Sequence, residues 1–161
     1  MDVNKDYELR FAYIDEWQDI MELAWKTFLR FESIDYAQEG IQSFNNFITD
    51  HTLYKMFVSG IYQVAIALEG EKLVGMISLR DITHISLLFV DEQYHLKGIG
   101  KKLIDFMAVF LSEKGKSRMT VNAAPYAIGF YHKLGFVDTG LEKVSDGIRY
   151  TPMELYIEKR R

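Results

Sequence analysis

The stretch HISLLFVDEQYHLKGIGKKL, residues 84–103, constrains the fold of this chain more than any other part of it. It joins an apolar run of strand length to a turn with two glycines, Gly98 and Gly100, and then to an amphipathic helical pattern. An almost wholly apolar strand indicates a central position in a sheet that is covered on both faces. The chain therefore needs helices on two sides of a sheet.

The helix after the glycines begins with Lys101 and Lys102, at the end where a helix disfavours positive charge. Glycines let backbone N–H groups approach a ligand without a Cβ in the way, and the helix dipole favours an anion there. A bound phosphate would offset the repulsion among Lys97 and these two lysines. A solvated basic turn is the alternative interpretation. Dinucleotide and P-loop motifs are excluded, because they need glycine at Leu103 and at His95 respectively.

The first third of the chain predicts one strand and three helices. The run YELRFAYI, residues 7–14, reads as a strand. Asp15 with Gln18 is predicted to cap the first helix, and Asp35 with Gln38 the second, as capping boxes. A third, short helix, TLYKMFVS, is predicted to end at the glycine that follows it, residue 60.

The remaining patterns predict a strand-rich second half. Two pairs of β-rich runs meet at residues 69–71 and at Asp146-Gly147, both typical of hairpin turns. Pro125 suits the first turn of a helix that ends near Gly135. Pro152 indicates that part of the last strand lies at a sheet edge or in a bulge. The order of elements predicts an α+β (α/β-type) fold, with a mixed, mostly antiparallel sheet and helices on both faces.

Composition excludes several classes of function. The 161 residues form most simply one domain, residues 1–161, and a net charge of −4 argues against nucleic acid as a partner. The chain has no cysteine, which excludes disulfides, thiolate metal ligands and a covalent thioester on the protein. The four histidines lack metal-site spacing, so no metal is predicted.

Targeting signals are not apparent in the sequence. The N-terminal segment MDVNKDYELR is polar and does not resemble a signal peptide, and no apolar run approaches membrane-spanning length. We therefore expect a cytoplasmic protein without a membrane partner.

Two segments together resemble the GCN5-related N-acetyltransferase (GNAT) superfamily. LLFVDEQYHLKGIGKKL resembles its Gln/Arg-x-x-Gly-x-Gly/Ala motif, and VNAAPYAIGFYHKLGF resembles a second segment with Asn and with Tyr shortly before Leu-Gly-Phe. One departure is His95, which replaces the family's Gln or Arg at a position that works largely through the backbone. The resemblance runs from about Val64 to the C-terminus and implies the GNAT (acyl-CoA N-acyltransferase) fold with a splayed central strand pair.

The resemblance implies acetyl-CoA as co-substrate. The loop amides would hold the pyrophosphate, the strand before the loop would pair with the pantetheine arm, and an asparagine would hydrogen-bond the same arm. The cofactor-binding residues that it implies are Leu88, Phe89, Val90, His95, Leu96, Lys97, Gly98, Ile99, Gly100, Lys101 and Asn122.

Direct acetylation of an amine requires a proton acceptor, an oxyanion donor and a proton for the leaving thiolate. The resemblance implies Tyr131 as the acid and His84 as the base, and the oxyanion donor is expected to be a backbone N–H such as that of Val90. Alternation along the strand predicts that His84, Ser86, Leu88 and Val90 share one face, so Ser86 is a candidate to hold a relay water. A packed tyrosine and a hydrogen-bonded sheet histidine are the alternatives.

The acceptor is expected near the turn between the first two helices, where Phe31, Glu32 and Tyr36 suit a cationic amine, although core packing explains them equally well. The predicted reaction is direct acetyl transfer from acetyl-CoA to a primary amine, on a small molecule or on a protein, in a ternary complex. The alternative is a non-catalytic acyl-CoA-binding or sensing module. An exposed strand edge near Pro152 permits a homodimer.

Overall fold

The computed structural model describes residues 6–158; the ends of the chain, including the first five residues of the N-terminal segment considered above, lie outside the described part. Its strands are β1 (Glu8–Phe11), β2 (Gln63–Glu69), β3 (Lys72–Arg80), β4 (His84–Val90), β5 (Arg118–Ala123), β6 (Val137–Asp138), β7 (Lys143–Ser145) and β8 (Ile148–Tyr156). Its helices are α1 (Trp17–Phe31), α2 (Gln38–Ile48), α3 (His51–Val58), α4 (Ile99–Glu113) and α5 (Ile128–Lys133).

One mixed sheet organises these elements, in the order β1-β2-β3-β4-β5-β8-β6, with β7 paired to β8 beside it. Every pairing is antiparallel except that of β4 with β5, which is parallel and has only two register pairs, His84 with Thr120 and Ile85 with Val121. Beyond Ile85 the two central strands separate. The predicted fold class, a mostly antiparallel sheet with a splayed central pair, is confirmed.

Both faces of the sheet are covered by helices. Ala65 and Ala67 of β2 belong to a buried cluster that includes the apolar stripe of α4. Their neighbours Val64 and Ile66 belong to a second cluster with the buried faces of α1 and α3. Because successive strand residues point to opposite faces, α4 lies on one side of the sheet and α1 and α3 lie on the other. The apolar character of β4 follows from this double cover.

The predicted starts of the first two helices are wrong by one and two residues. A 3-10 turn, Ile14–Glu16, precedes α1, and Glu16 rather than Asp15 is its N-cap. The Glu16 carboxylate accepts the Tyr13 N–H at 2.7 Å, so the capping carboxylate lies two residues before the predicted Gln18. Asp35 likewise lies in a 3-10 turn, and Ala37 is the N-cap of α2.

The predicted end of α3 and both hairpin turns are confirmed. Gly60, after α3, has a left-handed backbone with φ 84°, and Gly70 between β2 and β3 has φ 60°. Asp146 and Gly147 form the two-residue turn between β7 and β8, both with positive φ. Left-handed pairs of this kind match the natural twist of a two-residue hairpin.

The prediction that Pro152 marks an edge or bulge is wrong. Strand β8 pairs with β5 on one side, where Asn122 is the partner of Pro152, and with β6 on the other. The carbonyl oxygen of Pro152 accepts the Thr139 N–H at 2.8 Å. Because proline has no N–H, the strand lacks one hydrogen bond at this position but keeps its pairing on both sides. The homodimer stays a prediction, although the exposed strand edge near Pro152 on which it was based is not present in the fold of residues 6–158.

Within residues 6–158, no helix combines the length and the apolar character needed to cross a bilayer.

Candidate active site

The turn between β4 and α4 presents unpaired amides. Leu96 and Gly98 both have left-handed backbones, with φ 63° and 80°, and Gly98 is the N-cap of α4. The first helical bond runs from the Lys102 N–H to the Gly98 carbonyl oxygen at 3.0 Å. The N–H groups of residues 99–101 therefore have no helical acceptor, which is the arrangement that binds an anion at a helix N-terminus.

The imidazole of His95 fixes the shape of this turn. Its Nε2–H donates to the carbonyl oxygen of Val90, at 2.8 Å. One face of the ring lies against Phe31, with centroids 4.7 Å apart, and Phe31 stacks in turn on Tyr126 at 5.4 Å. The side chain that departs from the family pattern thus ties the turn to the end of β4 and to α1.

A cavity of about 450 Å³, here called the loop cavity, opens beside this turn. The turn, the end of β4 and the residues of α5 line it. Nine of the eleven predicted cofactor-binding residues line the loop cavity: Leu88, Phe89, Val90, His95, Leu96, Gly98, Ile99, Gly100 and Lys101. Lys97 is exposed outside its lining, and Asn122 lies in a different cavity.

The backbone of β4 points two amides into the gap between the splayed strands. The N–H of Asp91 donates to the carbonyl oxygen of Val74 at 2.8 Å, and Gly75 is the register partner of Val90. Since amides alternate in direction along a strand, those of Val90 and Leu88 face away from β3, toward the splayed side. This edge can pair with an extended ligand as a further strand would.

A bulge in β4 breaks the predicted alternation of its side chains. Ser78 of β3 pairs with Leu87, and Leu79 pairs with Ile85, so Ser86 has no register partner. As a result Ser86 lies on the α1 side, where its Oγ accepts the Tyr62 hydroxyl proton at 2.9 Å. Leu88 and Val90 pack instead against the α4-side cluster. The prediction that His84, Ser86, Leu88 and Val90 share one face is therefore wrong, because the extra residue reverses the pattern.

A second cavity of about 470 Å³, here called the hairpin cavity, lies between the α1–α2 turn, β4, β5 and the β7–β8 hairpin. Glycines allow the hairpin to close over it: an added Cβ at Gly147 would lie 2.5 Å from the backbone nitrogen of Gly40 on α2. The Ser43 hydroxyl also donates to the Asp146 carbonyl oxygen at 3.3 Å. Among the predicted site residues it is lined by Glu32, Tyr36, His84, Ser86, Leu88, Phe89, Asn122 and Tyr131.

The two cavities meet at Tyr131, which lines both together with Glu32, Leu88, Phe89 and Ala127. Tyr131 is 5% exposed, and its ring makes edge contacts with Phe136 at 5.1 Å. Within residues 6–158 its hydroxyl has no hydrogen-bond partner. Burial, and then the charge of Glu32, raise the pKa of the Tyr131 phenol, so the neutral, proton-donating form dominates.

The carboxyl group of Glu32 has an unusually high pKa for a residue beside a solvent-open cavity. Burial, and then the negative charge of Asp35, raise its pKa to about 7. The same surroundings raise the pKa of the neighbouring Tyr36 phenol. Glu32 can therefore change its charge near neutral pH.

His84 is available as a proton acceptor. Its Nδ1 is hydrogen-bonded to Oγ1 of Thr120 at 2.8 Å, which leaves Nε2 without a partner in the described part of the chain. Burial, and then the charge of Arg80, lower the pKa of the imidazole. The ring is accordingly neutral at neutral pH, the form that takes up a proton.

Several predicted residues are placed elsewhere, and several were missed. Phe31 lines only the loop cavity, whereas Glu32 and Tyr36, the other two residues predicted beside the acceptor, line the hairpin cavity. Tyr62 was missed; it bonds Ser78 at 2.6 Å and Ser86, and burial raises its pKa to about 12. The hairpin cavity also contains Phe44, Phe47, Asp146 and Tyr150. Phe44 and Phe47 lie on the apolar face of α2, and nothing in the sequence distinguishes them from core residues.

No group of three or more His, Cys, Asp or Glu side chains among residues 6–158 could hold a metal ion. The expectation that the site needs no metal stays a prediction.

Residues 32–157 match the family model of the acetyltransferase (GNAT) domain. The chain belongs to the GNAT family. A stretch of 83 residues is also 29% identical to a Bacillus subtilis (strain 168) protein that carries a provisional acetyltransferase name. That stretch is 50% of this chain and 56% of the relative, so the chain matches little more than half of the relative's length.

Solved structures share the fold over almost the whole chain. A GCN5-related N-acetyltransferase from Rhodopseudomonas palustris has a TM-score of 0.80 at 23% identity, covering 92% of this chain and 94% of its own. PaiA N-acetyltransferase from Thermoplasma acidophilum, in complex with coenzyme A, has a TM-score of 0.74 at 22% identity, covering 94% and 99%. YncA from Salmonella typhimurium, with acetyl-CoA, has a TM-score of 0.70 at 20% identity, covering 97% and 96%. At these identities the likeness shows the fold alone.

Proposed function

We propose that this GNAT domain transfers an acetyl group from acetyl-CoA to a primary amine, by direct attack in a ternary complex. The observation that carries the proposal is the meeting of the two cavities at Tyr131 and Leu88. A donor in the loop cavity and an acceptor in the hairpin cavity would bring their reacting atoms together at this junction. No cysteine is present to carry the acetyl group, so direct transfer is the economical route.

The loop cavity would hold acetyl-CoA. The amides of residues 99–101 would bind the pyrophosphate, and the outward-facing amides of Val90 and Leu88 would pair with the pantetheine arm. PaiA was solved with coenzyme A and YncA with acetyl-CoA, which supports a coenzyme A compound as ligand of this fold. Asn122, at the start of the splay, remains a candidate for the far end of the arm.

The oxyanion of the tetrahedral intermediate would be stabilised by the N–H of Leu88. We prefer Leu88 to Val90 because Leu88 lines both cavities, whereas Val90 lines the loop cavity alone. Tyr131 would donate its proton to the departing thiolate. Its hydroxyl is uncommitted to other described groups, and its raised pKa keeps the proton in place until the thiolate forms.

The acceptor would enter through the hairpin cavity. Glu32, at the junction, and the aromatic ring of Tyr36 would attract an ammonium group. The neutral imidazole of His84 would take the proton that the ammonium must lose before attack, directly or through a water near Ser86. The acceptor class is a small-molecule amine or a peptide or protein amine.

A free-thiol assay tests the proposal. Acetyl-CoA is offered with a polyamine, an aminoglycoside, an amino acid amide and a peptide with a free N-terminus, and calorimetry measures binding of acetyl-CoA to the same protein. The expected result is saturable binding and amine-dependent thiol release, with the acetylated amine identified by mass spectrometry. Binding without thiol release on any amine would instead favour a non-catalytic acyl-CoA-binding module.

A further inference from the structure

The carboxyl group of Glu32 lies between the two cavities without a bonded partner. It is the one carboxylate among residues 6–158 that lines both cavities, and none of the hydrogen bonds or ion pairs described for the chain involves it. A half-buried acid with no partner costs stability in its charged form. Such a group beside a reactive one is a candidate for a functional role.

The groups that face Glu32 come from several elements. Asp35 and Tyr36 lie on the same turn, and each is electrostatically coupled to Glu32. From α5 it is faced by Tyr131, whose phenol senses its charge. Across the hairpin cavity are Arg80 and His84 at the ends of β3 and β4, Asp146 in the hairpin and Tyr150 on β8. The loop cavity adds Tyr94, Tyr126, His95, whose Nε2–H is bonded to Val90, and Lys101, whose ammonium pairs with Asp105 at 2.9 Å.

The proposed reaction leaves Tyr131 short of a proton. An ammonium group loses two protons when it becomes an amide: one before attack and one from the tetrahedral intermediate. Tyr131 supplies one proton to sulfur and becomes a phenolate, which burial and a neighbouring carboxylate both disfavour. A donor beside the phenol can return that proton within the site, without waiting for exchange with solvent.

We infer that Glu32 carries the second amine proton to Tyr131. The amine nitrogen forms a bond to the thioester carbon, the C–S bond breaks, and sulfur takes the proton of Tyr131. Glu32 accepts the proton that leaves nitrogen and passes it to the Tyr131 oxygen through one bridging water, because the two side chains share the junction of the cavities without a direct hydrogen bond. The products are an acetamide and a thiol, and both side chains return to their starting states; the first ammonium proton has already left to His84 or water. This inference rests on the proposed acetyl transfer.

The first test compares Glu32→Gln with Asp35→Asn, using the amine that gives the most thiol release with the wild-type protein. Glu32→Gln should lower kcat by roughly 100-fold, with the KM for acetyl-CoA unchanged, and should remove the acidic limb near pH 7 from the kcat profile, leaving only the limb of His84 at lower pH. Asp35→Asn should keep the maximal kcat and move that limb to lower pH, because it removes the negative charge that raises the pKa of Glu32.

A rise in the amine KM of Glu32→Gln with kcat and the acidic limb preserved would overturn the relay, because Glu32 would then only bind the ammonium. Acetyl transfer itself would stand in that case. If the wild-type protein acetylates no amine, the proposed function fails first and the relay fails with it. Coenzyme A binding by calorimetry checks that each variant keeps its fold.

A second readout needs no acceptor. In protein with ¹³C-labelled tyrosine, the Cζ resonance of Tyr131, assigned from the loss of its signal in Tyr131→Phe, should titrate with a midpoint near neutral pH as Glu32 ionises. That titration should vanish in Glu32→Gln and move to lower pH in Asp35→Asn. A Tyr131 chemical shift in the wild-type protein that does not change with pH across this range would overturn the coupling between Glu32 and Tyr131.

Discussion

The loop cavity and the hairpin cavity are similar in volume but differ in what forms their walls. The anion-binding part of the loop cavity is made of backbone amides from one continuous segment that ends β4 and begins α4. The hairpin cavity is made of side chains from the α1–α2 turn, α2, β4, β5 and the β7–β8 hairpin. A ligand bound by backbone leaves a local signature in glycines and turn residues, whereas one bound by distant side chains does not.

Tyr131 is where the two cavities meet, and its replacement should give the largest effect. Tyr131→Phe keeps the ring and its contacts but removes the proton for the thiolate, so kcat should fall by roughly 100-fold. Calorimetry should give nearly the same affinity for acetyl-CoA. Tyr156→Phe, at a 69% exposed position, is the matched control and should behave as wild type. Unchanged turnover in Tyr131→Phe would show that Tyr131 does not donate the proton to the thiolate.

A substitution that displaces the β7–β8 hairpin should weaken binding of the amine acceptor without changing the affinity for acetyl-CoA. A Cβ at Gly40 would collide with the backbone of Gly147, so Gly40→Ala must displace the hairpin. Overpacking of this kind costs about 1–3 kcal/mol, which the chain can relieve by moving the hairpin. Because the hairpin forms one wall of the cavity, the amine KM should rise about fivefold or more while acetyl-CoA affinity is retained. Gly129→Ala is the control, because its Cβ meets nothing within 4 Å. A parallel loss of acetyl-CoA affinity would mean that the cavities are not separable.

The corresponding experiment on the loop cavity replaces each of the two glycines that flank α4. Gly98 at its start and Gly115 after its end both have left-handed backbones, and both face open space. Alanine strains either position by about 1–2 kcal/mol, so both variants should lose thermal stability to a similar extent. Calorimetry should show about a tenfold loss of coenzyme A affinity for Gly98→Ala only. Equal affinities would mean that the turn does not bind the cofactor.

The charge of Glu32 should make stability depend on pH. Its pKa of about 7 lies above that of an ordinary carboxyl, so folding favours the protonated form, and this contribution is lost as pH rises through neutrality. The cavity is open to solvent, which reduces the expected effect to about 1 kcal/mol. Between pH 5 and 8 the free energy of unfolding of Glu32→Gln should therefore fall less than that of wild type. The exposed variant Glu71→Gln should follow wild type; identical curves for all three proteins would contradict the raised pKa.

The sequence made the fold and the loop cavity predictable because their determinants are local. The apolar run of β4, the left-handed Gly98 and the unpaired start of α4 all lie within one segment of about twenty residues. The starts of α1 and α2 were misplaced because 3-10 turns extend the chain before each helix, and turns of this kind leave little trace in apolar periodicity.

The hairpin cavity could be predicted only in part. The family resemblance indicated His84 and alternation along the strand indicated Ser86, and both line this cavity, but the bulge at Ser86 could not be foreseen from alternation. Nothing in the sequence indicated that Tyr62 would bond Ser86 across the strands, or that Gly40 would meet Gly147. These contacts join residues far apart in the chain, and they follow from the tertiary structure rather than from any local pattern.

The central claim is that coenzyme A binds along the turn and the splayed edge of β4, and the most direct test is an NMR titration of ¹⁵N-labelled protein with coenzyme A. We expect saturable shifts at the amides of residues 98–101, Leu88 and Val90, with little change at Ser43 and Asp146 in the hairpin cavity. Saturable shifts confined to the hairpin cavity, or no saturable shifts at millimolar coenzyme A, would contradict the account.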